Sequence, residues 1–229
     1  MAKKEAPGRK RAFHASNVVV IGLGRFGTSL ALELVKNGHQ VFGIDTDDRI
    51  VQSMASSLTH VVTADTTDED AVRELGLGDM DSAVVAIGAD IEASILTTSL
   101  LLQLGVKQVW AKANSKSHGR ILEQIGAHHV VFPEYEMGRR VAHQVTGESL
   151  DYVPIDEDFV MLKGKVPNSF DGKNLGELKI RSKYGVTVVA VNAGDGKYTP
   201  AFPETVLLKG QTFVVAGEVD PLYKFCQLD

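Results

Sequence analysis

Three glycines near the amino end of the chain have the spacing of phosphate-binding glycines. Gly22, Gly24 and Gly27 follow an apolar, β-branched run at 18–21 and precede a stretch with helical apolar spacing at 25–36. In a strand–turn–helix unit of this kind, the first glycine permits a tight turn, the second lets phosphate oxygens reach the backbone, and the third lets helix and strand pack closely. The N–H groups that open the helix then offer donors and positive potential to an anion. The predicted phosphate site consists of Gly22, Leu23, Gly24, Arg25, Phe26 and Gly27.

Acidic and small residues follow the next strands, where the same crevice would open. Asp45 stands eighteen residues after Gly27, at the end of the second predicted strand, where a carboxylate accepts the ribose hydroxyls of an adenosine and repels a 2′-phosphate. Asp65 and Thr66 follow the third strand, and they could meet the adenine amino group or a ribose, or cap the next helix. Ile87-Gly88-Ala89 ends the fourth strand with small residues, which admit a ligand and are equally typical of a plain turn.

Arg25 bears on which nucleotide is bound. At the opening of the first helix, its guanidinium could hold further phosphate oxygens. That favours a charge-rich nucleotide such as ATP or ADP without excluding NAD. The alternative is that Arg25 lies over the helix surface in solvent.

A regular alternation of strands and helices must position these residues. The predicted strands are 18–21, 41–44, 60–63, 82–87, 108–111 and 128–131, and the predicted helices are 25–36, 48–57, 68–75, 91–104 and 117–125. Strands that are apolar throughout are covered on both faces, as in a parallel sheet. With a helix in each gap, the pattern predicts an α/β fold with a Rossmann-like doubly wound parallel sheet.

A smaller, β-rich unit is predicted beyond the last helix of this pattern. A helix is expected at 134–145, with Gly147-Glu148-Ser149 as its exit, followed by strands at 152–155, 160–166, 186–191 and 212–216 and short helices at 171–180 and 221–226. The predicted domains are therefore a flexible basic arm at 1–16, a nucleotide-binding domain at 17–147 and an α+β domain at 148–229. Because a unit of about 80 residues is near the lower limit for a self-sufficient core, we expect it to pair with a second copy.

Composition excludes several classes of protein. With 229 residues, 44% hydrophobic and 23% charged, the chain is not disordered as a whole. A net charge of −5 argues against a nucleic-acid partner, and no apolar run reaches the roughly 18–20 residues that span a bilayer. A single cysteine, Cys226, excludes a disulfide framework and a cysteine-based zinc site. The basic residues of 1–16 precede no apolar stretch, so they indicate a solvated arm or an anchor to anionic lipid rather than a signal peptide. A cytoplasmic location is expected.

Several motifs together resemble the RCK (regulator of potassium conductance) family. They are the glycine string with Ile21, Ile44-Asp45-Thr46-Asp47, Asp65-Thr66-Thr67-Asp68-Glu69, Ala86-Ile87-Gly88, Ala93-Ser94-Ile95-Leu96-Thr97-Thr98, Lys112-Ala113-Asn114, Ile125-Gly126-Ala127 and Phe132-Pro133-Glu134. In the second unit, Leu175-Gly176-Glu177-Leu178 and the segment 180–186 resemble the family's C-terminal domain. The similarity covers 18–219 and is strongest to the regulatory subunits of Ktr-type potassium uptake systems.

The resemblance implies a non-enzymatic switch. Such subunits form dimers that assemble into an octameric ring beneath a membrane-embedded, potassium-conducting subunit of the Ktr/Trk type, at the inner face of the cell membrane. ATP in the Rossmann cleft favours transport and ADP suppresses it, while NAD or NADH can occupy the same cleft.

The resemblance also implies roles for particular residues. Arg25 would meet the terminal phosphates, while Asp45, Thr46 and Asp47 would surround the ribose. Asp65, Thr66, Ile87, Gly88 and Ala89 would line the adenosine, and Lys112, Ala113, Asn114 and His118 would complete the pocket. Glu134 matches an acid that helps to hold a divalent cation, Mg²⁺ or Ca²⁺, near the phosphates at the dimer interface. About four negative charges on ATP exceed what Arg25, Lys112 and the helix dipole neutralise, which agrees with a cation.

Two departures and two rival functions stay open. Ala64 stands where the family often has glycine, and Asn192-Ala193 stands where it often has a basic residue. The second departure weakens the case for a cyclic di-AMP site in this chain. An NAD-dependent oxidoreductase is the main rival: residues 150–229 contain no histidine, but Lys112 and His118 are conceivable acid–base groups. A free-standing nucleotide or redox sensor is the second rival. His128 and His129 are interpreted as structural, since no spaced ligand partners accompany them.

Overall fold

The computed structural model describes residues 15–145, 151–156, 158–192, 194 and 196–228. The chain divides into two compact units, one ending at Pro133 and the other beginning at Glu134. The arm predicted at 1–16 falls almost entirely outside the described residues, as does the helix exit at 147–149. The domain boundary predicted at residue 147 therefore stays a prediction.

The first unit is a six-stranded parallel sheet with helices in the connections. Its strands are β1 (Asn17–Ile21), β2 (Gln40–Asp45), β3 (His60–Thr63), β4 (Ser82–Val85), β5 (Val109–Lys112) and β6 (His129–Val131). Its helices are α1 (Arg25–Lys36), α2 (Asp48–Met54), α3 (Glu69–Glu74), α4 (Ile91–Gln103) and α5 (Lys116–Gln124). The strand order is β3-β2-β1-β4-β5-β6, and every pairing is parallel. This confirms the predicted Rossmann-like fold.

The centre of the sheet determines where a ligand can bind. β1 pairs with β2 on one side and with β4 on the other, so the direction of winding reverses there. In open α/β sheets, ligands bind outside the carboxyl ends of the strands at this reversal. Side chains of β1 enter two cores, with Val19 and Ile21 on one face and Val18 and Val20 on the other. The glycine turn therefore follows directly from a strand that is fixed on both faces.

The second unit contains a helix and an antiparallel sheet. After α6 (Pro133–Val145) come β7 (Asp151–Pro154), β8 (Phe159–Lys165), α7 (Leu175–Leu178), α8 (Ile180–Tyr184), β9 (Thr187–Asn192), β10 (Tyr198–Pro200), β11 (Thr212–Glu218) and α9 (Val219–Cys226). The sheet has the order β10-β9-β11-β8-β7. Its residues Leu162 and Phe213 form one core with Phe225 of α9. The predicted α+β class of this unit is confirmed.

Two details of the second unit differ from expectation. The single helix predicted at 171–180 is wrong: a 3-10 turn lies at Asn168–Phe170, and two short helices meet at Lys179, whose φ is +49°. That left-handed residue ends α7 and begins α8, so no continuous helix can cross it. The strand β10 was not predicted, because it has three residues and contains Pro200. Among the described residues, no helix has the length and apolarity that crossing a membrane requires.

Candidate functional site

The glycine turn between β1 and α1 has the geometry that its sequence predicts. Gly22 has a φ of +89°, and a Cβ there would lie 3.0 Å from the backbone carbon of Ala86. A Cβ on Gly27 would lie 1.9 Å from the carbonyl oxygen of Gly22, so helix and turn could not pack as they do. A Cβ on Gly24, in contrast, would meet no atom within 4 Å. The open space at Gly24 is therefore where a ligand could approach the backbone.

The start of α1 is arranged differently from the other helix starts of this unit. Side chains of Asp47, Asp68, Asp90 and Ser115 cap α2, α3, α4 and α5 respectively. In the described first unit, α1 alone among these five helices begins without a side-chain cap, at Gly24. Arg25 is exposed at its first position. The uncapped N–H groups and the guanidinium together suit an anionic group.

Asp45 joins the end of β2 to the glycine turn. Its Oδ2 accepts a 2.6 Å hydrogen bond from the Leu23 N–H, and its Oδ1 accepts a 2.9 Å hydrogen bond from the Asp47 N–H. Leu23 is buried, whereas Asp45 is half-buried. The carboxylate is therefore fixed at the crevice by two backbone donors, and its remaining lone pairs are the acceptors that a ribose could use.

A cleft of about 630 Å³ opens at the carboxyl edge of the sheet. This volume falls in the range of small-molecule sites, about 300–1,000 Å³. Nine of the predicted site residues line it: Gly22, Gly24, Asp45, Thr46, Asp65, Thr66, Ile87, Gly88 and Ala89. The cleft thus collects the residues that follow β1, β2, β3 and β4, as the sheet topology requires.

The loop after β3 forms one wall of this cleft. Asp65 Oδ1 accepts hydrogen bonds from the Thr67 N–H at 2.9 Å and from the Thr67 hydroxyl at 2.7 Å. These bonds, led by the one from the backbone, lower the pKa of Asp65 below its ordinary value. Thr66 is buried, and its hydroxyl is hydrogen-bonded to that of Thr97 at 2.8 Å. The cap of α3 is Asp68, so capping does not explain Asp65 or Thr66.

Lys112 and Asn114 lie beside Gly88, and His118 contacts Asn114. The Asn114 amide donates to the Gly88 carbonyl, and Lys112 Nζ lies 5.9 Å from the centre of the Phe26 ring. The Asn114 N–H donates to His118 Nδ1 at 3.3 Å.

His118 is buried, and this burial lowers its pKa. In the described chain its Nε2 has no hydrogen-bond partner.

Other predicted residues also lie outside the cleft lining. Ala113 and Gly27 are buried, Leu23 and Phe26 belong to the turn, and Asp47 caps α2.

Several lining residues were missed by the sequence analysis. They are Ile50, Thr67, Asp90, Glu92, Ala93 and Leu96. Ile50 and Leu96 lie near the starts of α2 and α4, where an apolar residue cannot be told from a core residue by periodicity. Asp90 could have been predicted from the sequence. It lies between β4 and α4, and residues that follow a strand of a parallel sheet lie at the carboxyl edge where the cleft opens.

The predicted cation ligand, Glu134, belongs to the second unit. It is exposed near the start of α6. Among the described residues, no group of three or more His, Cys, Asp or Glu side chains could hold a metal ion. The cation site at Glu134 stays a prediction.

Comparisons with known proteins place both units in described families. A TrkA-N domain model matches residues 18–133, and a TrkA-C domain model matches residues 165–228. The chain is 36% identical over 208 residues to the Ktr system potassium uptake protein A of Bacillus subtilis, covering 90% of this chain and 93% of that protein. It is 37% identical to the Ktr system potassium uptake protein A of Vibrio alginolyticus, covering 89% and 93%.

Solved structures share the fold. The GsuK RCK domain matches with a TM-score of 0.64 at 19% identity, covering 95% of this chain and 48% of that one. The GsuK channel bound to NAD matches with a TM-score of 0.64 at 18% identity, covering 94% and 40%. The Shewanella denitrificans Kef CTD in its AMP-bound form matches with a TM-score of 0.51 at 18% identity, covering 57% and 80%.

Proposed function

The chain belongs to the RCK family, with a TrkA-N domain followed by a TrkA-C domain, and on that premise we propose that it is a regulatory nucleotide-binding subunit of a potassium uptake system. Its relatives at 36–37% identity over about nine-tenths of the chain are Ktr system potassium uptake proteins. The observation that carries the proposal is the uncapped start of α1, with open space at Gly24, beside a carboxylate fixed at the end of β2.

The proposed ligand is an adenine nucleotide, ATP or ADP, with NAD(H) as an alternative occupant. Asp45 supplies acceptors for the ribose, and the α1 start supplies donors for the phosphates. Fold neighbours are described as bound to NAD, to ADP and to AMP, which supports a nucleotide in this cleft. The acids that line the cleft, Asp45, Asp65, Asp90 and Glu92, disfavour a nucleotide that carries an extra phosphate on the ribose.

The proposed mechanism is a change in shape that depends on the nucleotide. Dimers of the chain assemble into an octameric ring on a membrane-embedded, potassium-conducting partner at the inner face of the membrane, where the subunit is peripheral. ATP and ADP share the adenosine contacts, so the two states of the ring are distinguished by the outermost phosphate, through Arg25 and a divalent cation, Mg²⁺ or Ca²⁺, held by Glu134. The proposed function involves no catalysis, since the relatives at 36–37% identity are named as potassium uptake proteins.

Calorimetry on an Arg25→Ala variant tests the proposal. The expected result is that ATP loses its advantage over ADP while ADP affinity changes little, because the guanidinium acts on the outer phosphate. Arg49→Ala is the matched control: Arg49, like Arg25, is an exposed arginine of the first unit outside the cleft lining, but it lies in α2, whose start is capped by Asp47. Unchanged ATP-over-ADP discrimination in Arg25→Ala would contradict the role of Arg25, and a wild-type chain that binds no adenine nucleotide would overturn the function.

Two further measurements separate the rival functions. Hydride transfer between NAD and small hydroxy acids, assayed by nicotinamide absorbance, would support an oxidoreductase, and we expect none. Isolation from membranes under mild conditions is expected to recover a potassium-conducting membrane protein with the chain. Recovery of the chain free of any membrane protein would instead favour a free-standing sensor.

A further inference from the structure

A buried hydrogen bond connects the loop after β3 with α4, and residues of both line the cleft. Thr66 follows β3 and is 4% exposed, and Thr97 lies in α4 and is fully buried. Their hydroxyl oxygens are 2.8 Å apart. The two residues are 31 positions apart in sequence, so this bond links elements that are otherwise separate in the chain.

Each partner lies next to residues that line the cleft. Thr66 stands between Asp65 and Thr67, which are joined by the two hydrogen bonds at Asp65 Oδ1. Thr97 follows Leu96 and lies one helical turn after Ala93, and both of these α4 residues also line the cleft. The distance between the walls is therefore set where the two threonines meet.

We propose that Thr97 is a positioning residue of the nucleotide site: through Thr66 it holds the Asp65–Thr67 loop at the separation from α4 that an adenosine requires. The inference rests on the proposed function for its ligand, and on the described contacts for its geometry. Thr97 need not touch the nucleotide, because the loop that it holds carries the Asp65 carboxylate.

The neighbouring Thr98 provides a matched control. It is also fully buried in α4, but its hydroxyl donates to the Ser94 carbonyl of the same helix at 2.7 Å. Thr98→Val therefore removes a buried hydroxyl from the same helix and leaves the link to the β3 loop in place. Thr97→Val removes that link and also leaves the Thr66 hydroxyl buried without its partner, which makes the loop less well held.

Amide hydrogen exchange and calorimetry on the full chain test the proposal. In Thr97→Val without nucleotide, the amides of residues 65–68 should exchange at least about threefold faster, while Thr98→Val should leave them at the wild-type rate. AMP, ADP and ATP should each bind about three- to tenfold more weakly to Thr97→Val, by the same factor, because the loss concerns the shared adenosine. Thr97→Ser, which keeps a hydroxyl, should restore both properties.

The outcomes separate this inference from the proposed function. If Thr97→Val matches Thr98→Val in exchange and in affinity, the positioning role is wrong, and a loss confined to ATP would overturn it as well. If the wild-type chain binds no adenine nucleotide, the proposed function fails, while the exchange of residues 65–68 still tests the link. Should Thr97→Val not fold, Thr66→Val removes the same bond from the other side and must give the same pattern of exchange.

Discussion

Replacing Asp45 by asparagine should destabilise the first unit even when no nucleotide is present. The carboxylate accepts backbone N–H groups on both of its oxygens, from Leu23 at 2.6 Å and from Asp47 at 2.9 Å. An asparagine has one acceptor oxygen, so one of these N–H groups would face an NH₂ group instead. A hydrogen bond to a charged group contributes about 1.5–3 kcal/mol, and Leu23 is buried, so we expect the free energy of unfolding to fall by about 2 kcal/mol.

Urea unfolding followed by tryptophan fluorescence measures this change. Trp110 is the single tryptophan of the chain and lies in β5, so its signal reports on the first unit. The linear dependence of the free energy on urea gives the difference between variant and wild type.

Asp47→Asn is the control, because Asp47 caps α2 through one bond to the Arg49 N–H, and asparagine is an equally good cap. Its change should stay within about 0.5 kcal/mol. Equal stability of Asp45→Asn and Asp47→Asn would refute the reasoning.

Two further predictions concern titratable groups whose pKa is shifted by full or partial burial. Burial lowers the pKa of His118 below 6.5, so the unfolded chain binds more protons than the folded one at lower pH, and the first unit should lose stability as the pH falls through 6.5. His118→Asn should reduce the loss between pH 7.5 and 5.5 in urea titrations on Trp110, and an unchanged loss would contradict the neutral, buried histidine. Partial burial raises the pKa of Cys226 to about 11, so the thiol should react with Ellman's reagent at pH 7.5 much more slowly in the folded chain than after unfolding in urea. Rapid labelling of the folded chain would contradict this and would favour a redox sensor.

The first unit was predictable because its local signals agree. β1 is buried from Val18 to Ile21 and is followed by Gly22, β2 ends on Asp45, and Asp65 comes two residues after β3, so the extent of these strands could be predicted to within a few residues. β4 shows where this agreement ends. The prediction ran to residue 87, whereas the strand ends at Val85, since Ala86 and Ile87 pack against Gly22 and line the cleft instead. An apolar run in the sequence indicates burial. Residues that are buried beneath the glycine turn are therefore predicted as part of the strand.

The second unit and the cleft walls show the limit of sequence patterns. No residue pattern in Leu175–Tyr184 predicts that Lys179 takes a left-handed backbone conformation, which lysine rarely adopts. Thr66 was expected to meet the ligand because it follows a strand, and its burial against Thr97 depends on a helix that begins 25 residues later. Contacts of this kind are set by tertiary packing, which a single sequence does not display.

The way in which the cleft is held bears on how it could distinguish nucleotides. The side that we propose for adenosine is organised by the protein's own bonds, from Leu23 to Asp45, from Thr67 to Asp65 and from Thr66 to Thr97. A preorganised side of this kind lowers the cost of binding equally for every adenine nucleotide, and a ligand that binds two states equally shifts neither. Under the proposed function, discrimination between ATP and ADP is therefore expected at the other side, where α1 begins uncapped at Gly24 and Arg25 is exposed. Loss of an adenosine-side bond should weaken ATP and ADP by the same factor, whereas loss of Arg25 should weaken ATP and change ADP little. These opposite outcomes make the two halves of the cleft independently testable.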